Sequence, residues 1–310
     1  GFASLGLTEP TLRALDAMGF TEPTPIQRQT IPLVADGRDV IAKAPTGTGK
    51  TFAFGIPMIE HIDPESEAVQ GLILAPTREL AIQIGDELRS LLTYYQNIRV
   101  AVLYGGAGIG GQIKQLERKP QIVVATPGRL MDHYNRKTIR FDKIQTVVLD
   151  EADRMLDMGF IKDVTHILKQ IPNRKNLGLF SATISREVMD ISWVYQRDPV
   201  EITVEATKED RPQIAQYVIA TEQPKKIDNL LYLLDADVYQ RIMIFCNTKF
   251  MTDRLTSDLK KKGYDAECIH GDIPQSKRNV VMSDFRKGKF PILIATDVAA
   301  RGIDVDDVEA

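Results

Sequence analysis

The tetrad Asp150-Glu151-Ala152-Asp153 follows directly on the apolar run Thr146-Val147-Val148-Leu149. A short β-branched run ending in carboxylates reads as a buried strand that delivers acid groups to the edge of a sheet. In open α/β sheets that edge, beyond the carboxyl ends of the strands, is where ligands bind. Adjacent carboxylates there are costly unless something positive sits between them, and a metal-bound phosphate meets that need. Upstream, residues 44–51 read Ala-Pro-Thr-Gly-Thr-Gly-Lys-Thr, which fits a Walker A loop with Ala44 in place of the usual first glycine. In the stretch Thr46-Gly47-Thr48-Gly49, the glycines let backbone N–H groups approach phosphate oxygens. Lys50 adds a point charge for the β- and γ-phosphates, and Thr51 offers a hydroxyl to Mg²⁺. Asp150 is then the expected second Mg²⁺ partner, and Glu151 the group that orients and deprotonates an attacking water. The expected chemistry is nucleotide binding and hydrolysis, with Lys50, Asp150 and Glu151 as its catalytic residues.

These residues need a scaffold, and the hydrophobic pattern supplies one. Strand-like runs fall at 39–43, 71–75, 99–103, 122–125, 146–149 and 176–180, with amphipathic stretches such as 80–92 and 160–170 between them. Such alternation predicts a parallel sheet flanked by helices. The polar run 203–212 ends in Pro212 and reads as a linker. The pattern then restarts at 216–220, 241–246, 266–270 and 291–295. The expected organisation is an α/β domain over 1–205, a linker over 206–212, and a second, incomplete α/β domain over 213–310.

At 310 residues the chain is long enough for two cores, and 43% hydrophobic with 26% charged residues is ordinary for a folded protein. No apolar stretch approaches the length of a membrane helix. Cys246 and Cys268 lack redox or zinc spacing, and the four histidines form no ligand-spaced pair. Net charge is −3, so any nucleic-acid contact must be local rather than a matter of bulk charge. The first residue is Gly1, and Val308-Glu309-Ala310 reads as the start of another strand, so the sequence is expected to be a piece of a longer protein.

With the tetrad and the 44–51 loop in place, the chain resembles the DEAD-box family of ATP-dependent RNA helicases, built on two tandem RecA-like P-loop domains. Other motifs of that family follow in order. Gly19-Phe20 and Pro23-Thr24-Pro25-Ile26-Gln27 resemble the Q motif, with Phe2 as an upstream aromatic; Pro76-Thr77-Arg78-Glu79-Leu80-Ala81 resembles motif Ia. Gly105-Gly106 and Thr126-Pro127-Gly128-Arg129 resemble further RNA-contacting elements, and Ser181-Ala182-Thr183 resembles motif III. Thr248 lies in the motif IV region, and the string from Ala295 to Asp304, which includes Thr296, Asp297 and Gly302, resembles motif V.

The resemblance implies ATP and Mg²⁺ as cofactors and RNA as partner, bound through its backbone without sequence preference. It implies that Gln27 reads adenine, with Phe20 and Phe2 at the base. Phe2 could equally be a hydrophobic staple near a chain end. Pro76, Thr77, Arg78, Gly105, Gly106, Thr126, Pro127, Gly128, Arg129, Thr248 and Thr296 would line the RNA track. An isolated Arg78 would be read as an ion pair with Glu79 or a neighbouring carboxylate. Asp153, Ser181, Thr183 and Asp297 would couple nucleotide state to RNA, although Ser181 and Thr183 also suit a helix cap. Gly302 and Asp304 would contact the ribose, which would put the ATP site between the two domains. Motif VI, His-Arg-x-Gly-Arg-x-Gly-Arg, does not occur in the 310 residues. The chain as given is therefore expected to bind ATP but hydrolyse it poorly. The competing readings are an ATP-gated RNA clamp and a DNA-directed motor. A monomeric, cytoplasmic protein is expected.

Overall fold

The computed structural model describes residues 1–205, 215–236, 238–300, 305 and 308–310. The linker expected at 206–212 and the motif V residues Arg301, Gly302, Ile303 and Asp304 lie outside the described residues. The chain divides into two compact units, Gly1–Pro212 and Gln213–Ala310. No described helix is long and apolar enough to cross a membrane.

The first unit opens with a short 3-10 turn at Phe2–Leu5, then α1 (Glu9–Ala17), α2 (Pro25–Ala35), β1 (Val40–Lys43), α3 (Lys50–Glu60) and β2 (Gly71–Leu74). It continues through α4 (Arg78–Leu91), β3 (Val100–Leu103), α5 (Ile109–Glu117), β4 (Ile122–Ala125), α6 (Pro127–Asn135) and β5 (Thr146–Leu149). It ends with α7 (Ala152–Asp157), α8 (Ile161–Lys169), β6 (Asn176–Ser181), α9 (Arg186–Tyr195) and β7 (Val200–Thr203). The strands form one sheet in the order β3-β4-β2-β5-β6-β1-β7, and every pairing is parallel.

Burial on both faces explains why these strands read as unbroken apolar runs. In β2, Leu72 and Leu74 pack into a core with Leu130, Ile167 and Val188, whereas Ile73 packs on the other face with Ile26, Phe54 and Leu88. The predicted strands agree with β1 to β6 to within a residue at each end. β7 was not expected: in Val-Glu-Ile-Thr only Ile202 is buried, and four mixed residues carry no period by themselves.

The second unit contains a 3-10 turn at Gln223–Lys225, α10 (Lys226–Asp235), β8 (Ile242–Cys246), α11 (Lys249–Lys261) and β9 (Ala266–Ile269). It closes with α12 (Gln275–Arg286), β10 (Ile292–Thr296) and α13 (Asp297–Ala300). Its sheet has the order β8-β10-β9, again parallel. The strand expected at 216–220 does not form. Tyr217, Val218 and Ile219 are exposed there, and the segment has no partner strand among the described residues. A β-branched run becomes a strand only where neighbouring backbone takes its hydrogen bonds. Beside β8, the Glu309 N–H donates to Arg241 O at 2.9 Å and Ala310 O accepts from the Met243 N–H at 2.9 Å.

Candidate nucleotide and RNA site

The Q-motif residues lie at the turn between α1 and α2 and at the start of α2; every other predicted motif of the first unit follows the carboxyl end of a strand. The 44–51 loop follows β1, Pro76–Arg78 follows β2, and Gly105-Gly106 follows β3. Thr126–Arg129 follows β4, the tetrad follows β5, and Ser181–Thr183 closes β6. The strand order then sorts them. β3, β4 and β2 are neighbours and carry the residues expected to meet RNA; β5, β6 and β1 are neighbours and carry those expected to meet nucleotide and its couplers. One sheet edge thus holds two adjoining sites, which meet where β2 pairs with β5.

In the nucleotide half, Gly47 and Gly49 have φ of +83° and +85°, a left-handed backbone that side chains rarely adopt. Gly49 caps α3, so the loop delivers its N–H groups at a helix N-terminus, where anions are favoured. The Ala44 N–H donates to Ser181 O at 3.0 Å, which ties the start of the loop to β6. Within the loop, the Thr48 hydroxyl donates to Pro45 O at 2.8 Å. Thr46 is exposed and Thr51 partly so. Lys50 is buried, and its Nζ lies 3.7 Å from Asp150 Oδ1.

Asp150 is 2% exposed, and its Oδ1 also accepts the Glu151 N–H at 2.9 Å. Its carboxyl is pushed up to about 6, chiefly by burial; Lys50 opposes this and the Glu151 charge adds to it. A buried carboxylate with only one cation nearby is a place where a divalent ion relieves cost. A carboxylate at Asp150 and a hydroxyl at Thr51 are oxygen donors of the kind Mg²⁺ takes alongside water and substrate phosphates. The residues present therefore fit that ion. Glu151 sits at φ +49°, strained for a side-chain-bearing residue, and its carboxylate pairs with Arg154.

Asp153 is hydrogen-bonded to the segment that closes β6. Its Oδ2 accepts the Thr183 hydroxyl at 2.9 Å and the Thr183 N–H at 3.2 Å. The Ser181 hydroxyl accepts the Asp153 N–H at 3.1 Å and donates to Thr183 O at 2.7 Å. The structure thus joins Asp153, Ser181 and Thr183 in one network. Neither hydroxyl caps α9; Ser185 does, accepting the Val188 N–H at 3.3 Å.

Two base-contact expectations change. Phe2 is 4% exposed and packs in the core with Leu15 and Ile26, so its ring is a staple and not a stacking surface. Phe20 is the exposed aromatic near the loop, edge-on to Phe52 of α3 with ring centroids 5.3 Å apart. Gln27 is buried: its Oε1 accepts the Thr24 N–H at 3.0 Å and its Nε2 donates to Gly49 O at 3.1 Å. With the Thr24 hydroxyl accepting the Gln27 N–H this is a capping box, and it fastens α2 to the phosphate loop. A Cβ at Gly49 would collide with the Gln27 amide, so the loop needs glycine there for space as well as for φ.

In the RNA half, Thr77 caps α4, accepting the Leu80 N–H at 3.2 Å. Arg78 does not pair with Glu79; its guanidinium lies 4.7 Å over the Tyr104 ring. Pro127 opens α6 behind Thr126, and Gly128 is exposed on its first turn. Arg129, expected to touch RNA, is instead occupied inside the unit: its Nη1 donates to Ala107 O at 3.0 Å, and its side chain is 14% exposed. Gly105 and Gly106 are exposed. Gly106 has φ +81°, whereas a Cβ on Gly105 would meet nothing within 4 Å. Gly106→Ala is therefore expected to cost about 1 kcal/mol of stability, and Gly105→Ala to leave the melting temperature unchanged. Equal melting of the two variants would contradict this reading of the loop.

In the second unit, Thr248 caps α11, accepting the Met251 N–H at 3.1 Å. Thr296 closes β10, its hydroxyl accepting the Ala299 N–H at 3.4 Å, and Asp297 opens α13, exposed. Asp253, Cys268 and His270 bring ligand atoms within 4.8 Å of one another, a grouping that spacing did not reveal. His270 Nδ1 accepts the Asp272 N–H at 3.3 Å, which leaves Nε2 to donate to Asp253 at 2.8 Å. Metal-bound histidines use the opposite arrangement, donating their other ring nitrogen outward.

Fold and site together define a P-loop α/β protein with a second α/β unit. The family model for DEAD/DEAH box helicases matches residues 24–191, and that for the helicase conserved C-terminal domain matches residues 225–310. The chain belongs to the DEAD/DEAH box helicase family. It is 47% identical over 307 residues to the ATP-dependent RNA helicase CshA of Listeria monocytogenes, and 45% identical over the same length to CshA of Bacillus subtilis. Each match covers 99% of this chain but only 59% and 62% of those proteins. Among solved structures, a DEAD box protein from Methanococcus jannaschii is 41% identical with a TM-score of 0.63, covering 99% of this chain and 83% of that one. Dbp5 of S. cerevisiae, bound to RNA and ADP BeF3, is 31% identical with a TM-score of 0.84, covering 99% and 78%.

Proposed function

We propose that the protein is an ATP-dependent RNA helicase that grips RNA by its backbone and opens short duplexes locally. The observation that carries this reading is the buried Lys50–Asp150 pair at the mouth of a glycine-cradled loop. A lysine and a carboxylate placed there are costly without a ligand, and a nucleotide triphosphate with its cation uses both. In this reading the N–H groups of 46–51 and Lys50 hold the phosphates, while Phe20 faces the base and Gln27 braces the loop that receives it. Asp150 and Thr51 would hold Mg²⁺, which when bound supplies charge neutralisation at the β- and γ-phosphates. Glu151 orients the attacking water and takes its proton after leaving Arg154. Gly302 and Asp304 are assigned to the ribose by their place in motif V.

RNA would lie across Pro76–Arg78, Gly105-Gly106 and Thr126–Gly128, with Thr248 and Thr296 serving from the second unit. These groups are hydroxyls, backbone N–H groups and one guanidinium, a set that positions phosphate without reading bases. ATP binding would favour a closed form that strains the duplex, and hydrolysis would release it, with Asp153, Ser181, Thr183 and Asp297 linking the two events. Strand displacement by the full-length protein on a short RNA duplex tests this. Release of the strand with ATP and none without is the expected result. RNA that is retained with ATP while the duplex stays intact would replace the helicase reading with a clamp.

A further inference from the structure

The loop from Tyr104 to Gly108 is held from beneath by buried polar groups. Gln112 of α5 is 3% exposed, and its Nε2 donates to Tyr104 O at 2.8 Å. Its Oε1 accepts from Arg129 Nη1 at 3.3 Å and faces His133 Nε2 at 3.0 Å. Arg129 reaches on to Ala107 O. His133 of α6 is fully buried, and its Nδ1 lies 2.8 Å from the Thr138 hydroxyl.

The proton facing Gln112 is fixed by the partners of its amide. The amide oxygen of Gln112 must face the guanidinium, because its nitrogen is needed at Tyr104 O. His133 Nε2 then has to carry the hydrogen that points at that oxygen; on its other side the ring meets the Thr138 hydroxyl, which lies 2.8 Å from Nδ1 and donates to His133 O at 3.0 Å. Burial and the Arg129 charge both lower the His133 imidazole, in keeping with a neutral ring. The two carbonyls that receive bonds, Tyr104 O and Ala107 O, flank Gly105 and Gly106. Tyr104 also carries the ring beneath Arg78. One cluster therefore fixes both the glycine pair and the platform of the motif Ia arginine.

We infer that Gln112 and His133 are positioning residues for RNA: they hold the Tyr104–Gly108 loop in the shape that meets the phosphate backbone. Apolar packing between α5 and α6 would stabilise the unit equally well; what it could not do is aim two loop carbonyls inward. The inference rests on the RNA reading proposed above.

The test uses the 310-residue chain, a fluorescein-labelled oligouridine and a fluorescent ADP analogue, both titrated well below the melting temperature. Gln112→Leu and His133→Leu are expected to weaken oligouridine binding about tenfold, the size of one lost buried hydrogen bond. ADP-analogue affinity is expected to stay within about twofold. His133→Gln, which returns an N–H toward Gln112, is expected to recover most of the RNA affinity. If Gln112→Leu does not fold, the His133 pair decides. Unchanged RNA affinity in the leucine variants, equal loss of both ligands, or no rescue by glutamine would overturn the inference. Failure of the unaltered chain to bind oligouridine would overturn the RNA reading itself.

Discussion

Residues 1–310 should turn over ATP about 10³–10⁵ times more slowly than the same chain continued through a His-Arg-x-Gly-Arg-x-Gly-Arg string. The factor is that of an arginine finger on the γ-phosphate, on the order of 4–7 kcal/mol of barrier. Neither described cation nearest the tetrad stands in for it: Lys50 is buried beside Asp150, and Arg154 is paired with Glu151. Binding needs only the first unit's loop, so affinity should survive where turnover does not. Single-turnover hydrolysis of radiolabelled ATP, with saturating RNA, measures this directly. RNA-stimulated turnover by the 310-residue chain at the rate of the continued protein would refute it.

Lys50→Ala is the second large effect, and it has two parts. Mg·ATP affinity is expected to fall about 100-fold, or roughly 3 kcal/mol, the scale for losing a buried charged contact. Stability is also expected to change, and its sign follows from Asp150. That carboxyl titrates near 6 in the folded unit against an ordinary 3.8. Folding therefore favours its protonated form, and the stability so gained is complete below 3.8 and lost as pH rises through about 6. Lys50 is the cation that restrains this rise. Without it the folded value moves further up, and the loss extends to higher pH. Lys50→Ala should thus melt like the parent near pH 4 and at a lower temperature near pH 8. Adding Asp150→Asn should restore melting at the higher pH without restoring nucleotide binding. Equal destabilisation at both pH values would show that Lys50 acts through packing rather than charge.

Sequence reading succeeds here where one strand and its following loop carry the whole message. Thr146–Leu149 with its tetrad, and Val40–Lys43 with the glycine loop, are such segments, since burial on both faces leaves an unmistakable apolar run. It falters where meaning depends on a neighbour. Phe2 and Phe20 are both aromatics near the Q motif, and only the packing of the Phe2–Leu5 turn against Leu15 and Ile26 separates core from surface. Residues 216–220 have strand composition but no described partner strand, whereas Val200–Thr203 has little composition and finds β1. Arg129 sits in a motif associated with RNA yet turns its Nη1 inward to Ala107 and Gln112. That contact, like the one between Gln112 and His133, joins α5 to α6 across β4. It exists only because the loops after β3 and β4 come side by side.

The separation of nucleotide and RNA residues along one edge is likewise a property of strand order. The chain order of the motifs interleaves them: the 44–51 loop, then three RNA elements, then the tetrad and Ser181–Thr183. The sheet order β3-β4-β2-β5-β6-β1-β7 sorts them into two adjoining halves. The Asp153–Thr183 hydrogen bonds then tie the tetrad to the end of β6, and the Ser181 carbonyl there accepts the Ala44 N–H at the start of the glycine loop.

Calorimetric titration of Mg·ATP into residues 1–310 bears most directly on the central claim, that the Lys50–Asp150 site is a nucleotide site. One molecule bound per chain, with binding lost in Lys50→Ala and kept in Gly105→Ala, is the predicted result. No binding to the unaltered chain, or binding of equal strength when Lys50 is alanine, would contradict it.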